Sequence, residues 1–298
     1  MRKTVIAVAA ALAAAGVAAP AHAAVKCFGR SPTIVGSKGA DTLRGTNGDD
    51  VIVSLAGKDR VFAGKGKDRV CTGGGRDLVV GEGGRDQIDA GGGADRIYGA
   101  SQRKYDPAGE HNPGNAETPE VLAGGPGADV IRGGGGNDVL LGGPGNDRLF
   151  GEDEGDRIDG DDGADLIDTG GTNERVSYDF ALGGPGDDRI VSLDAGPDEL
   201  KGADGDDRIV AATGSRDDAH GGEGDDHLEG ALVSFEAATR GVTVDLVTET
   251  ATGQGTDVVV DAEGVEGSGF DDVLLGTEGG DIMRAGAGDD VVDGRGGD

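Results

Sequence analysis

The chain has 298 residues, with 62 glycines, 9 prolines, no tryptophan and only 3% aromatic residues. This composition excludes a core built on large side chains, and it would indicate disorder if no regular pattern accompanied it. The net charge of −30 excludes nucleic acid as a partner, argues against an anionic membrane surface and favours cations.

The N-terminal segment, residues 1–23, has the three parts of a secretory signal peptide. Arg2 and Lys3 precede an apolar run over residues 4–19, and the tripeptide "AHA" ending at Ala23 supplies a cleavage site. An N-terminal membrane anchor is the alternative, but the run is short for a span and no basic flank follows it. We therefore expect cleavage after Ala23, a secreted, extracellular mature chain and no membrane insertion.

A nine-residue pattern begins at Gly36 and occurs seven times without a break. Its form is G-G-x-G-x-D-x-U-x, where U is aliphatic, and the copies include "GTNGDDVIV" and "AGGGADRIY". Residues 100–120 interrupt the pattern with three prolines, which predicts a loop insertion. Residues 24–99 therefore form a first repeat block.

The pattern resumes at Gly124, and residues 121–229 form a second block that is more acidic than the first. Its later part is less regular. There the sequence predicts Glu174 at the acidic place of one copy, followed by an interruption over residues 178–182.

Residues 230–267 depart from the pattern and are predicted to connect two repeat blocks. Within them, "GVTVDLVT" alternates Val242, Val244 and Leu246 with polar residues, which predicts an ordinary strand. Residues 268–298 return to the pattern and end part-way through a copy.

Each copy combines a glycine turn with a very short strand. Glycine permits the positive φ angles of the turn, and the three residues around U are long enough only for a strandlet. Two copies then complete one coil of about 18 residues, so that alternate copies lie side by side as parallel strands. The eighth residue points inward, the seventh and ninth point outward, and aspartates two copies apart become neighbours.

The turns therefore offer carboxylate and carbonyl oxygens without nitrogen or sulfur ligands. A hard cation with flexible coordination by six to eight oxygens selects such a set, and Ca²⁺ fits it better than Mg²⁺, which demands stricter octahedral geometry. Calcium would also neutralise carboxylates that repel one another. We expect the acidic part of the chain to fold with calcium and to loosen without it.

The tandem copies resemble the RTX, or haemolysin-type, calcium-binding repeat. The resemblance implies an all-β fold, a parallel β-roll that is a right-handed β-solenoid with two nonapeptides per coil and loop insertions. In that family the aspartate at the sixth place and the turn carbonyls hold calcium. The corresponding ligands here are Asp41, Asp50, Asp59, Asp68, Asp77, Asp86, Asp95, Asp129, Asp138, Asp147, Asp156, Asp165, Asp188, Asp207, Asp226, Asp272, Asp281 and Asp290.

Two features depart from that family or extend the resemblance. The stretch from Val233 to Gly276 resembles a connector found between blocks of such repeats. Many family members leave the cell through a C-terminal signal, whereas this chain has an N-terminal one, which puts family expectations about toxins in doubt.

The first block differs from the rest in charge and cysteine content. Lys58, Lys67, Arg76 and Arg85 each precede a sixth-place aspartate. They either replace calcium in part, which would make this block a metal-independent cap, or simply face solvent. An exported chain with two cysteines favours a disulfide, here between Cys27 and Cys71, which are the chain's two cysteines.

No catalytic motif accompanies the repeats. The spacings of nucleophile elbows, zinc proteases and P-loops are absent, and His111, His220 and His227 are predicted surface residues. We therefore expect a non-enzymatic, structural or interaction role. The alternatives are a calcium-dependent adhesin or extracellular matrix component that contacts a cell-envelope or matrix partner, and a hydrolase.

Overall fold

The computed structural model describes residues 25–100, 119–170, 177–212 and 214–296. All regular structure in these ranges is β-strand, and they contain no helix that could cross a membrane. The predicted signal peptide, most of the predicted loop and Glu174 lie outside the described residues. The chain divides into two compact units, residues 1–138 and 139–298.

The first unit is built from ten strands that alternate between two parallel sheets, ordered β1-β3-β5-β7-β9 and β2-β4-β6-β8-β10. The strands are β1 (Ile34–Val35), β2 (Thr42–Arg44), β3 (Val51–Val53), β4 (Arg60–Lys65), β5 (Arg69–Cys71), β6 (Leu78–Gly83), β7 (Gln87–Asp89), β8 (Arg96–Ala100), β9 (Val121–Ala123) and β10 (Val130–Gly135).

The second unit continues the alternation, with sheets ordered β11-β13-β15-β17-β19-β21-β25-β27 and β12-β14-β16-β18-β20-β24-β23-β22-β26-β28. The strands are β11 (Val139–Leu141), β12 (Arg148–Asp153), β13 (Arg157–Asp159), β14 (Leu166–Gly170), β15 (Phe180–Pro185), β16 (Arg189–Ser192), β17 (Glu199–Asp204), β18 (Arg208–Ala211), β19 (Asp218–Glu223), β20 (His227–Glu229), β21 (Leu232–Ser234), β22 (Thr243–Asp245), β23 (Thr250–Thr252), β24 (Thr256–Val260), β25 (Gly264–Glu266), β26 (Val273–Leu275), β27 (Ile282–Arg284) and β28 (Val291–Asp293).

The strand register confirms a β-solenoid with two nonapeptides per coil. In the first unit Ile34 pairs with Ile52, and Val61 pairs with Val79, an offset of two nonapeptides in both sheets. In the second unit the offset is one residue longer where Ile190 pairs with Ile209. The extra residue lies in the turn, because the strands themselves stay in register.

As the sequence predicts, the interior is filled by the eighth-place residues of the copies, except in the last two, where Met283 is half-buried and Val292 is 48% exposed. Ile52, Ile97, Ile158 and Ile209 are each 0% exposed. The residues on either side of them alternate outward, as expected for strands whose successive side chains point to opposite faces. Apart from these last two copies, each coil therefore buries one aliphatic side chain from each of its two strands.

The predicted interruption at residues 178–182 is wrong. Strand β15 begins at Phe180, and Ala181 pairs with Ile158 on one side and Leu200 on the other. The additional residues of this coil therefore precede Asp179, which takes the acidic place. Additional residues ahead of Asp179 move the later residues out of the nine-residue frame. Alanine at the eighth place is also a weak strand signal, so the sequence pattern placed the interruption after Asp179 instead of before it.

The connector contains the strand predicted from "GVTVDLVT". Val242 and Val244 are buried, and β22 pairs parallel with β26. It also pairs antiparallel with β23, which in turn pairs antiparallel with β24. The connector therefore adds a short meander to one sheet of the second unit.

The predicted disulfide is present and closes a loop of the first unit. Cys27 is fully buried, its Cα lies 5.7 Å from that of Cys71, and the two are 44 residues apart. Cys71 ends strand β5. The bond therefore ties the segment ahead of β1 to the third strand of its sheet.

Removing this bond should destabilise the protein without changing its fold. For a loop of this length, the entropy gained by the unfolded chain corresponds to about 4 kcal/mol. We expect the C27A/C71A variant to unfold at a lower denaturant concentration than the wild type in the same calcium buffer. A reduced and alkylated wild type should match the variant, and an unchanged midpoint for both would contradict the prediction.

Candidate metal sites along the turns

The sixth-place aspartates form a ladder that runs from coil to coil. The backbone N–H of Asp41 donates to Oδ1 of Asp59 at 2.8 Å, and that of Asp188 donates to Oδ1 of Asp207 at 2.8 Å. All the predicted ligands except Asp281 take part in such a bond, as donor, acceptor or both. The structure thus places aspartates of successive coils side by side, as predicted.

The second carboxylate oxygen of many of these aspartates is buried without a hydrogen-bond partner. This holds for Oδ2 of Asp59, Asp68, Asp77, Asp86, Asp95, Asp165, Asp188, Asp207 and Asp217. An ionised oxygen removed from water in this way is strongly unfavourable unless a cation or a donor compensates for it. Native proteins rarely leave such groups uncompensated, so each of these oxygens is a candidate ligand for a cation.

Where the first place of the turn is glycine, a carbonyl oxygen of the next coil converges on the carboxylate. A Cβ atom added to Gly81 would lie 2.6 Å from the carbonyl oxygen of Gly99 and 2.7 Å from Oδ2 of Asp86. The same two kinds of oxygen meet above Gly142, whose Cβ would lie 2.5 Å from Oδ2 of Asp147 and 2.6 Å from the Gly160 carbonyl. The first-place residue therefore faces a pocket of negatively polarised oxygens.

One edge of the second unit keeps glycine at the first place in five consecutive turns. These glycines are Gly142, Gly160, Gly183, Gly202 and Gly221. In some other turns a side chain stands at that place, and the hydroxyls of Ser54 and Thr72 donate to the carbonyls of Thr72 and Ala90 at 2.9 and 2.8 Å. The all-glycine edge therefore has no side chain between these oxygens in any of its turns.

Burial raises the pKa of these carboxyl groups far above the ordinary value of 3.8. The pKa of Asp68 rises to about 8, and those of Asp86, Asp165 and Asp207 rise to about 7. Desolvation is the largest cause, backbone hydrogen bonds act against it, and neighbouring carboxylates add to it. Without a cation the folded chain therefore favours the neutral, protonated form of these carboxyl groups.

These shifts predict how the stability of the metal-free protein depends on pH. A carboxyl group with a raised folded-state pKa binds more protons in the folded chain than in the unfolded chain, so stability falls as pH rises from about 4 to about 8. In EGTA we expect a higher melting temperature at pH 5 than at pH 8. Calcium should reverse the order, because protons compete with the ion, and a melting temperature in EGTA that rises from pH 5 to pH 8 would contradict this.

Several acidic residues in the ladder are absent from the predicted ligand set. Asp179 and Asp257 accept the backbone N–H of Asp156 and Asp226, and the N–H of Glu120 donates to Oδ1 of Asp138 at 2.8 Å. In the sequence each of the three precedes a short aliphatic stretch, and this feature could have identified them as ladder residues. Two more acids, Asp198 and Asp217, lie ten residues after Asp188 and Asp207 and also join the ladder.

One turn of the second unit brings three carboxylates together. Asp179, Asp194 and Asp198 are buried and can place one oxygen each within 4.8 Å of the others. The hydroxyl of Ser177 donates to Oδ2 of Asp194 at 2.7 Å, and that of Ser192 donates to Asp198. Asp194 supplies a third carboxylate here, from a turn that is one residue longer than usual.

The basic residues of the first block do not occupy the metal positions. Lys58, Lys67, Arg76 and Arg85 lie at the fifth place of their turns, beside rather than within the ladder. Among the ion pairs of the described residues, none joins one of these four side chains to a sixth-place aspartate. The geometry therefore favours the solvent-facing alternative over replacement of calcium by these cations.

The oxygen-only donor set, the buried carboxylate oxygens and the converging carbonyls together fit a hard cation with flexible coordination, which is Ca²⁺.

Comparison with known proteins agrees with this geometry. The model of the RTX calcium-binding nonapeptide repeat matches residues 35–70, 72–103, 117–149, 141–173, 182–216, 212–232 and 266–298. No curated protein gives a significant match to the chain. The repeat model covers well over half of the residues, and the chain therefore belongs to the RTX family of calcium-binding nonapeptide repeat proteins.

Proposed function

We propose that this chain is a secreted protein in which calcium ions bind between stacked turns, order the coils and stiffen them for a structural or interaction role. The observation that carries the proposal is the buried, unpaired Oδ2 of Asp165, Asp188 and Asp207, each beside a carbonyl of the next coil. A Ca²⁺ ion would supply the positive charge that these oxygens lack.

The strongest candidate ligands lie on the all-glycine edge of the second unit. They are Asp147, Asp165, Asp188, Asp207 and Asp226. The sixth-place aspartates of the inner turns of the first unit, from Asp59 to Asp95, are the next candidates, because their Oδ2 atoms are also buried and unpaired. The remaining candidates share the place in the ladder: Asp129, Asp138, Asp156, Asp290, Glu120, Asp179, Asp198, Asp217 and Asp257.

Binding and folding are coupled in this arrangement. A strandlet of three residues buries little apolar surface for the backbone that it orders, so each coil is weak by itself. The carboxylates that would share an ion come from sequence positions about two nonapeptides apart and meet only when the coils stack. Calcium that binds the stacked state alone stabilises it by linkage.

The disulfide supports the extracellular part of the proposal. The Cys27–Cys71 bond suits an oxidising compartment. The outward faces carry neighbouring arginines, such as Arg189 beside Arg208, which would suit an acidic polymer of the cell envelope or matrix. Such an adhesive role is the second candidate, and capture of isolated envelope material by the protein in calcium but not in EGTA would support it.

The primary proposal is tested by far-UV circular dichroism and sedimentation of the mature chain dialysed against EGTA, then against calcium, with magnesium as the control. We expect an expanded, less structured chain in EGTA and a compact β-rich chain in calcium, with little effect of magnesium. Equal compactness and β content in all three buffers would contradict the proposal.

A further inference from the structure

The turns of this protein fall into two classes that differ at the second place of the nonapeptide. Glycine is the commonest residue there, but in the described turns serine or threonine occupies this place at Ser37, Thr46, Ser268 and Thr277. The first two belong to the first two copies of the pattern, and the other two belong to the first two copies after the connector.

In these four turns the second-place residue satisfies the sixth-place carboxylate. The backbone N–H and the hydroxyl of Ser37 both donate to Oδ2 of Asp41, at 2.6 and 2.9 Å. Thr46 makes the same two bonds to Oδ2 of Asp50, at 2.6 and 2.9 Å. The oxygen that is unpaired in the inner turns therefore has two donors here.

The two turns after the connector repeat the arrangement. The N–H of Ser268 donates to Oδ2 of Asp272 at 2.7 Å, and its hydroxyl donates to Oδ1 at 2.8 Å. The N–H of Thr277 donates to Oδ2 of Asp281 at 2.6 Å, and its hydroxyl lies 3.0 and 3.1 Å from the two carboxylate oxygens. In both units, therefore, the N–H and the hydroxyl of the second-place residue contact the carboxylate of the same turn.

The backbone conformation separates the two classes independently of these bonds. In the inner turns the second place adopts a left-handed conformation even where it is not glycine, with φ of 86° at Leu55, 74° at Glu82 and 81° at Glu152. Residues with a Cβ disfavour this region. Ser37, Thr46, Ser268 and Thr277 all lie outside it.

The hydroxyl also closes the turn from within. The N–H of the fourth-place residue donates to it, from Gly39 to Ser37 at 3.2 Å and from Phe270 to Ser268 at 3.1 Å. Phenylalanine can stand at the fourth place because this turn requires no positive φ there. The serine or threonine therefore completes a local hydrogen-bonded turn around its own aspartate.

We propose that these four are hydroxyl-capped turns that do not take calcium, and that they hold their coils together in the metal-free protein. This inference rests on the proposed function, since it divides the turns into those that bind calcium and those that do not. In a hydroxyl-capped turn an ion would have to displace two donors and change the backbone, whereas in an inner turn it meets an unpaired oxygen. Asp41, Asp50, Asp272 and Asp281 then serve the fold rather than the metal.

The inference is tested by counting bound calcium in the mature chain by equilibrium dialysis and elemental analysis. S37G/T46G converts the first two copies to "GGKGAD" and "GGNGDD", which should bind more ions than the wild type and melt earlier in EGTA. D41N/D50N should bind as many ions as the wild type. D188N/D207N, the matched pair in inner turns, should bind fewer.

The outcomes separate the inference from the proposed function. If the wild type binds no calcium, the proposed function fails. If the wild type binds calcium but D41N/D50N loses as many ions as D188N/D207N, the hydroxyl-capped turns bind metal and only the inference fails. An unchanged ion count for S37G/T46G would also overturn it, and circular dichroism in calcium shows whether each variant is folded.

Discussion

The D188N/D207N variant is expected to lose calcium at the turns of both residues and to be much less stable than the wild type in calcium. Asparagine keeps Oδ1, so each side chain can still accept the N–H of the preceding coil. It lacks the charge on Oδ2 that we assign to the ion. At a calcium concentration 100 times the dissociation constant, each lost site removes about 2.7 kcal/mol of linked stabilisation.

In EGTA the order of stability should reverse. Burial raises the pKa of Asp207 to about 7 and that of Asp188 to about 6, so the ionised carboxylates oppose folding at pH 8 when no cation is bound. The neutral amides remove that opposition. Thermal unfolding at pH 8 should therefore give a variant that melts below the wild type in calcium and above it in EGTA.

Asp187 and Asp206 provide the matched control, because they are the fifth-place neighbours of the same two turns and lie outside the buried ladder. The D187N/D206N variant removes the same formal charge from the same coils. Its melting temperature should stay close to that of the wild type in both calcium and EGTA. If it behaved like D188N/D207N, general charge repulsion rather than ion binding would explain the effect.

The I209A substitution is the second change with a large expected effect. Ile209 is fully buried and pairs with Ile190 and Leu228 in adjacent coils, so the smaller side chain leaves a cavity in the stack. Buried isoleucine-to-alanine substitutions lower the free energy of unfolding by about 2–5 kcal/mol. We expect a loss in this range from urea denaturation in calcium.

Val210, the next residue, is the control for that loss. It occupies the ninth place, points outward and is half-buried. V210A should reduce stability clearly less than I209A. Equal losses would contradict the assignment of the eighth place as the interior of the solenoid.

The coil itself could be predicted from the sequence, because a period of nine fixes which residues share a face. Leu43, Ile52 and Val61 occupy the eighth place of successive copies, and all are buried. The sixth-place aspartates likewise become neighbours when they are two copies apart, which placed Asp41 beside Asp59. Because the nine-residue pattern is periodic, the place of a residue in its copy also predicts which residues of other copies it contacts.

The parts that could not be predicted are those where the period fails. Asp179 follows additional residues after β14, Asp257 lies in β24 after the connector strands β22 and β23, and Glu120 follows the predicted loop. In each case the residue joins the ladder after an insertion whose length cannot be predicted from the nine-residue pattern. The number of residues in a turn can vary, whereas the register in which the strands pair is constant.

The hydroxyl-capped turns show a different limit. Ser37 and Thr46 are visible in the sequence, but the pattern treats the second place as a simple preference for glycine. Only the hydrogen bonds to Asp41 and Asp50 show that serine and threonine supply a donor to the carboxylate oxygen that is unpaired in the inner turns. A position that tolerates substitution can therefore alter the chemistry of a site four residues away.

Hydrogen–deuterium exchange of the mature chain, in calcium and in EGTA, tests most directly whether calcium held between coils orders them. The backbone N–H groups of Asp165 and Asp188 donate to carboxylates of the next coil and should report the stacking. We predict slow exchange of peptides across residues 160–210 in calcium and fast exchange in EGTA. Identical slow exchange in both buffers would contradict the account.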